Sequence, residues 1–278
     1  MATTAINFDQ LVIDRVVDAW FESKSDNELI AVLDQVTNFS VNTSSETKDK
    51  TDAQGVLLKR YFLSKSVEIS GENAVFSLNM AAIQAGTTKK MGTAVTMPRV
   101  MQIAATDSPY ALPDTPIDGT LLVYGTSENG IVDVQKKYVK GDAVGVDTYA
   151  VATSGGVTTL SLPTNATETV QIKYEYTVAE GNVAARVDQT SDKFPAECKA
   201  TFRVLCSDIC DSEAVRALYI VFPRFQMSPD VDLTFDTDST QGFTATALKD
   251  YCGKGQVLYY IAIAEDSDEY DTKQFVDR

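Results

Sequence analysis

From Thr169 to Val178 the chain alternates almost without fault. Val170, Ile172, Tyr174, Tyr176 and Val178 share one face, and Gln171, Lys173, Glu175 and Thr177 share the other. Side chains of a strand alternate between two faces, whereas a helix repeats about every 3.6 residues, so this decade reads as a strand with one buried face. Once one such strand exists, the chain must supply partners for its backbone edges and a cover for its apolar side. The neighbouring sequence offers them at short spacing: Thr120–Tyr124, Val132–Val139, Thr148–Ala152, Thr158–Ser161 and the strand itself from Glu168. Ser154-Gly155-Gly156 reads as a tight turn between the third and the fourth.

Five short strands in some sixty residues resemble a small immunoglobulin-like sandwich. We place it at residues 112–179. Pro109–Gly119, with three prolines, reads as the linker into it. On either side the style changes. Residues 6–36 carry helical spacing: Phe8, Leu11, Val12, Val16 and Trp20 recur every three or four positions, as do Leu29, Ile30, Leu33 and Val36, with Ser25-Asp26-Asn27-Glu28 offering cap residues. Phe39–Asp52 is Asn, Thr, Ser, Lys and Asp, the composition of a solvated loop. Val56–Ser70, a turn at Gly71-Glu72-Asn73 and Ala74–Met80 read as a hairpin. Ala81–Gly92 reads as a long loop, and Val95–Ala105 as a strand that Pro98 confines to an edge or splits. Beyond the small sandwich, Lys199–Cys206 and Val215–Pro223 flank a loop, and Val231–Phe235, Phe243–Leu248 and Val257–Ala264 continue the pattern, with Phe243–Leu248 readable as a strand or a helix start. The last fourteen residues open on Glu265-Asp266-Ser267-Asp268-Glu269 and are too acidic to fold alone.

Chemistry is constrained as firmly by what the chain lacks. It has no histidine, which removes the commonest general base and most zinc ligand sets. It has no glycine-rich dinucleotide fingerprint and no phosphate loop; Gly253-Lys254-Gly255 reads as a turn. The four cysteines, Cys198, Cys206, Cys210 and Cys252, lack the paired spacing of zinc knuckles and read as buried free thiols, with a Cys206–Cys210 disulfide as the alternative. We therefore expect no catalytic, no cofactor-binding and no metal-binding residues. Twenty-four Lys and Arg against 39 Asp and Glu give a net charge of −15, a surface that repels phosphate and is ill suited to reading nucleic acid. No apolar run is long enough to cross a bilayer as a helix, and the start lacks a basic segment ahead of an apolar one, so synthesis in a cytoplasm is expected, with no membrane partner.

Three stretches together resemble the tail tube proteins of bacterial viruses. They are Thr51–Met80, a charged loop feeding a long strand; Phe194–Pro223, two strands around a short acidic loop; and Asp230–Ala264, where Leu233-Thr234-Phe235 leads to Phe243–Leu248 and a closing apolar strand. The resemblance implies a mainly β fold: a tail-tube-like β-sandwich or barrel of residues 1–110 and 180–278, with N-terminal helices and the immunoglobulin-like sandwich inserted. It implies a virion tail subunit that stacks as hexameric rings around a DNA channel. Its partners would be itself and other phage tail proteins, with genomic DNA only as passing cargo. A capsid decoration protein, or an adhesin or carbohydrate-binding module, are the alternatives. A bore that lets DNA slide should carry net negative charge. Val56–Met80 and Lys199–Cys206 are the expected lining strands, with Lys59, Arg60 and Lys65 facing a neighbour or paired with acids such as Glu68 or Glu72.

Overall fold

The computed structural model describes residues 8–92, 95–178, 183–209, 215–231, 233–249 and 256–263. It is mainly β, as expected, and divides into two compact units: Met1–Lys89 with Val187–Arg278, and Lys90–Arg186.

The first unit is one curled eight-stranded sheet. In chain order its strands are β1 (Leu11–Ser23), β2 (Leu29–Leu33), β3 (Val36–Thr51), β4 (Leu57–Asn73), β14 (Cys198–Asp208), β15 (Val215–Met227), β16 (Gln241–Ala247) and β17 (Tyr260–Ile263). They lie in the order β2-β1-β14-β15-β16-β4-β3, and β17 shares the far edge of β15 with β16. Among the described residues its strand pairs are antiparallel. The end strands β2 and β3 are separated by only Asp34 and Gln35 in sequence, so the sheet curls until its two edges come near each other and encloses one core.

That core is aromatic. Phe202 of β14 stacks on Phe39 at 4.2 Å between centroids, meets Phe21 and Phe222 edge-on at 6.1 and 5.8 Å, and lies 6.2 Å from Phe225 and 6.3 Å from Phe243. Gly71 stands opposite Phe243 on the neighbouring strand. A Cβ there would lie 2.6 Å from the ring, so only glycine lets the ring fold over β4. A seven-residue helix, α1 (Leu78–Gln84), closes the core with Met80 and Ile83. Ser77 caps it by accepting from the Met80 amide, and buried glutamines lock it to β16: the Ser77 amide donates to Gln241 Oε1 and Gln84 Nε2 donates to the Gly242 carbonyl.

The second unit contains β5 (Lys90–Met91), β6 (Thr96–Ala104), β7 (Tyr110–Ala111), β8 (Leu122–Thr126), β9 (Val132–Gly141), β10 (Thr148–Ser154), β11 (Val157–Ser161), β12 (Thr169–Thr177) and β13 (Ala185–Arg186). β5 and β13 pair where the chain enters and leaves the unit. The others form a sheet in the order β6-β12-β8-β9-β10-β11-β7, in which β9 pairs antiparallel with β8 and then parallel with β10. Val170, Ile172 and Tyr174 of β12 are buried with Val123, Tyr149 and Leu160, as the alternation requires. β6, with Pro98, is an edge strand.

Several sequence expectations are corrected. Among the described residues the expected N-terminal helices are replaced by strands, Leu11–Ser23 and Leu29–Leu33. Bulges between Ile13 and Arg15 and between Val16 and Asp18 shift the alternation of β1, and a two-residue period broken twice mimics a three-to-four-residue one. Phe39–Asp52 is not a loop but most of β3, polar because the outer two-thirds of that strand has water on both faces. Ala74–Met80 is not a returning strand; it leads into α1. Pro109–Gly119 is not a bare linker, since Tyr110–Ala111 pairs with β11 and Pro116 bridges Tyr176. Val231 and Leu233–Phe235 form no strand, and the acidic last fourteen residues lie outside the described residues.

Replacing Phe202 by alanine removes the ring on which five others converge. It should lower the unfolding free energy by about 3–5 kcal/mol, read from equilibrium denaturant unfolding.

Candidate assembly interface

The β3–β4 hairpin runs on past the buried core of the first unit. Up to Val67 and Ile69 its inner face is buried, but Ser44–Thr51 and Leu57–Ser66 are exposed on both faces. At about 3.3 Å per residue this is a two-stranded arm of about 25 Å. Its tip is built from local chemistry: Asp52 Oδ1 accepts from the amides of Gln54 (2.9 Å) and Val56 (2.8 Å), and Gly55 adopts φ +84°, which an L side chain resists. At the base, Ser44 and Ser66 share a hydrogen bond of 2.7 Å.

Two bulges, where Leu63 and Leu58 are the extra residues, sort the arm's side chains. One face presents Phe62 opposite Thr47 and Arg60 opposite Asp49; Arg60 grips Asp49 through Nε (2.8 Å) and Nη2 (2.9 Å). This fork holds the Asp49 carboxyl below the usual carboxylate range, chiefly through its hydrogen bonds. The other face presents Lys48 opposite Tyr61 and Lys50 opposite Lys59, with Lys59 Nζ 4.9 Å from the Tyr61 ring centre. Arg60 is thus paired, though with Asp49 and not with the expected Glu68 or Glu72; Glu72 accepts from Asn38 and Thr240. The tip and outer strand keep Val56, Leu57, Leu58, Tyr61, Phe62 and Leu63 in water, with Phe62 74% exposed. An isolated two-stranded hairpin is marginal in water, and this one also exposes a contiguous apolar run.

A second unusual surface lies on the outer side of β1, β2 and β14. Trp20 is 42% exposed, faces Val32 and Thr201 across its two neighbours, and has Ile30 and Leu29 nearby in the edge strand. Asp18 and Glu22 flank it, ion-paired with Arg203 and Lys199. Burial pushes the Asp18 carboxyl above its ordinary value despite Arg203.

Among the described residues no set of three Cys, Asp or Glu side chains gathers to hold a metal ion, and no helix is long and apolar enough to cross a membrane. A cleft of about 490 Å³ in the second unit opens beside β8, β9 and β10, and its one carboxylate, Asp118, is bound to Lys140 at 3.1 Å. Cys198 and Cys206 are free and buried; burial pushes the Cys198 thiol up to about 12 and raises Cys206 as well. Cys210 and Cys252, and so the Cys206–Cys210 alternative, lie outside the described residues.

A curled sheet with two edges and an apolar arm held out in water has the construction of a protein that joins other chains. The family comparison agrees: a model of the YomU/Tube protein family matches residues 11–261, and the chain belongs to that family, whose members are structural proteins of the phage tail tube type. No curated protein matches the chain in sequence.

Thiol reagents should label neither Cys198 nor Cys206 in the native protein and both after denaturation. Peptide mapping of labelled protein checks this, since both the thiolate fraction and access are suppressed.

Proposed function

We propose that this chain is the subunit from which a phage tail tube is built. Copies join side by side into hexameric rings, rings stack through the arms, and the bore conducts DNA without reading its sequence. The observation that carries the reading is the exposed half of the β3–β4 hairpin. Its apolar residues have no cover among the described residues of the first unit, and an arm of about 25 Å can carry them to another copy. Heterologous contacts between identical copies close into rings or continue as filaments, which is the geometry a tube requires.

The face that suits a bore is the polar side of β4 and β16, where Ser66, Glu68, Ser70, Glu72, Thr244 and Thr246 stand together by register. The 36–44, 66–73 and 241–247 stretches contain no lysine or arginine. Strand Lys199–Cys206, the other expected lining, carries Lys199 and Arg203, each already on an acid. We take the second unit, 90–186, as an inserted immunoglobulin-like module that folds by itself. The virion tail is the place of action, and other tail proteins are further partners.

Purified protein at high concentration should form rings or tubes visible by negative-stain electron microscopy. A variant with residues 45–64 replaced by a two-residue turn should remain folded by circular dichroism yet form none. Dispersed monomers from the wild-type chain, or tubes indifferent to the arm, would overturn the reading. Glu68→Lys should still assemble but retain duplex DNA in pull-down at low salt, because a cation in the bore binds phosphate through counterion release.

A further inference from the structure

The arm is a cationic element on an acidic protein. Residues 44–66 hold five Lys and Arg against three Asp and Glu, a net charge of +2, in a chain of −15. The excess is not spread evenly. Lys48, Lys50 and Lys59 share the Tyr61 face, and Lys50 stands directly opposite Lys59. Like charges placed opposite each other destabilise a strand pair, and a two-stranded arm has little stability to spare. No ion pair within the described residues relieves the three: Lys59 has only the Tyr61 ring, while Asp49 is taken by Arg60. The geometry calls for an anionic surface from outside the chain, and the exposed Tyr61 ring among the lysines requires that surface to offer apolar contact as well.

The same chain carries one. Residues 8–36, which include β1 and β2, hold seven Asp and Glu against two Lys and Arg, a net charge of −5, and Lys199 and Arg203 of β14, paired with Glu22 and Asp18, leave that surface at −3. They expose Val12, Ile13, Trp20, Leu29, Ile30 and Val32 between those acids. Duplex DNA would satisfy the lysines but give Tyr61, on the same face, no apolar side chain to bury against. A second copy of this chain satisfies both demands.

We propose that the β3–β4 arm of one copy docks on the β1–β2 surface of the next through its lysine face, Tyr61 against the exposed apolar side chains and the lysines against the surrounding carboxylates. This rests on the reading of the chain as a self-assembling tube subunit and names the two surfaces that recognise each other. The contact is heterologous, since the arm and its seat are different parts of the subunit, and the opposite charges discourage arm–arm and seat–seat pairing. Exposed charges contribute modestly to affinity and strongly to encounter and partner choice, so the association should weaken as salt is raised.

The test is a charge swap on exposed residues, read by sedimentation, which reports association of copies whether or not they build tubes. Lys48→Glu, Lys50→Glu and Lys59→Glu together should raise the concentration needed for self-association about tenfold at low salt. Asp14→Lys, Glu28→Lys and Asp34→Lys together should do the same. A chain carrying all six should recover to within about threefold of wild type. Melting temperatures near wild type confirm that each variant is folded. An arm variant that associates normally, a six-fold variant that fails to recover, or a wild-type chain that stays monomeric overturns the proposal. So does an arm variant whose only loss is retention of duplex DNA, which would assign the lysines to phosphate. Arm-dependent association without tubes would keep this pairing and sink the tail tube reading instead.

Discussion

Phe202 sits where strands that are far apart in sequence have to agree. It reaches Phe21 on β1, Phe39 on β3, Phe222 and Phe225 on β15 and Phe243 on β16. Its neighbours on β14, Thr201 and Arg203, point to the opposite side. A slip of one residue would carry Arg203 into the ring cluster and Phe202 into water, so the burial of this one ring sets the register of the whole curl. The outer face enforces the same alignment: Lys199 meets Glu22 and Arg203 meets Asp18 only when β1 and β14 are paired as they are. Salt bridges of this kind add little stability where exposed, yet they penalise the wrong pairing.

How well each strand can be read from the sequence follows from how it is solvated. β12 has one wet face and one dry face, so its alternation is nearly complete and its identity plain. β1 has the same architecture, but two bulges reset its phase, and Val16 packs against the core while Trp20, four residues on, points to water. A helical stripe would have put those two together. β3 shows the opposite failure. Its outer part has no dry face, hence no period at all, and a strand held only by pairing with β4 looks like a loop. Ser77, an effective cap, was the one local sign that the chain after β4 turns into a helix.

The assembly surfaces were legible to a lesser degree, and for the same reason. The sequence points to Lys59, Arg60 and Lys65 as charges in need of partners, but their partners depend on register, and register cannot be known until β3 is recognised as a strand. With it recognised, Asp49 falls opposite Arg60 and Lys50 opposite Lys59. The first pairing satisfies a charge inside the arm, and the second leaves one for another molecule to satisfy. Trp20 shows the limit from the other side. Composition marks it as the only tryptophan, but only the sheet places it in water beside Val32, between two ion pairs.

The arm's own backbone bonds have a further consequence. Between Ser44 and Ser66 each strand pairs, among the described residues, only with the other, and none of these residues belongs to the aromatic cluster. The arm therefore opens at small cost while the body stays closed, a local unfolding unit beside a cooperative one. A protease needs an extended, unpaired stretch of roughly this length, and in the free subunit the arm supplies it far more often than the sheet around Phe202 does. The segment suited to joining copies is thus also one at which an unassembled copy is readily cut.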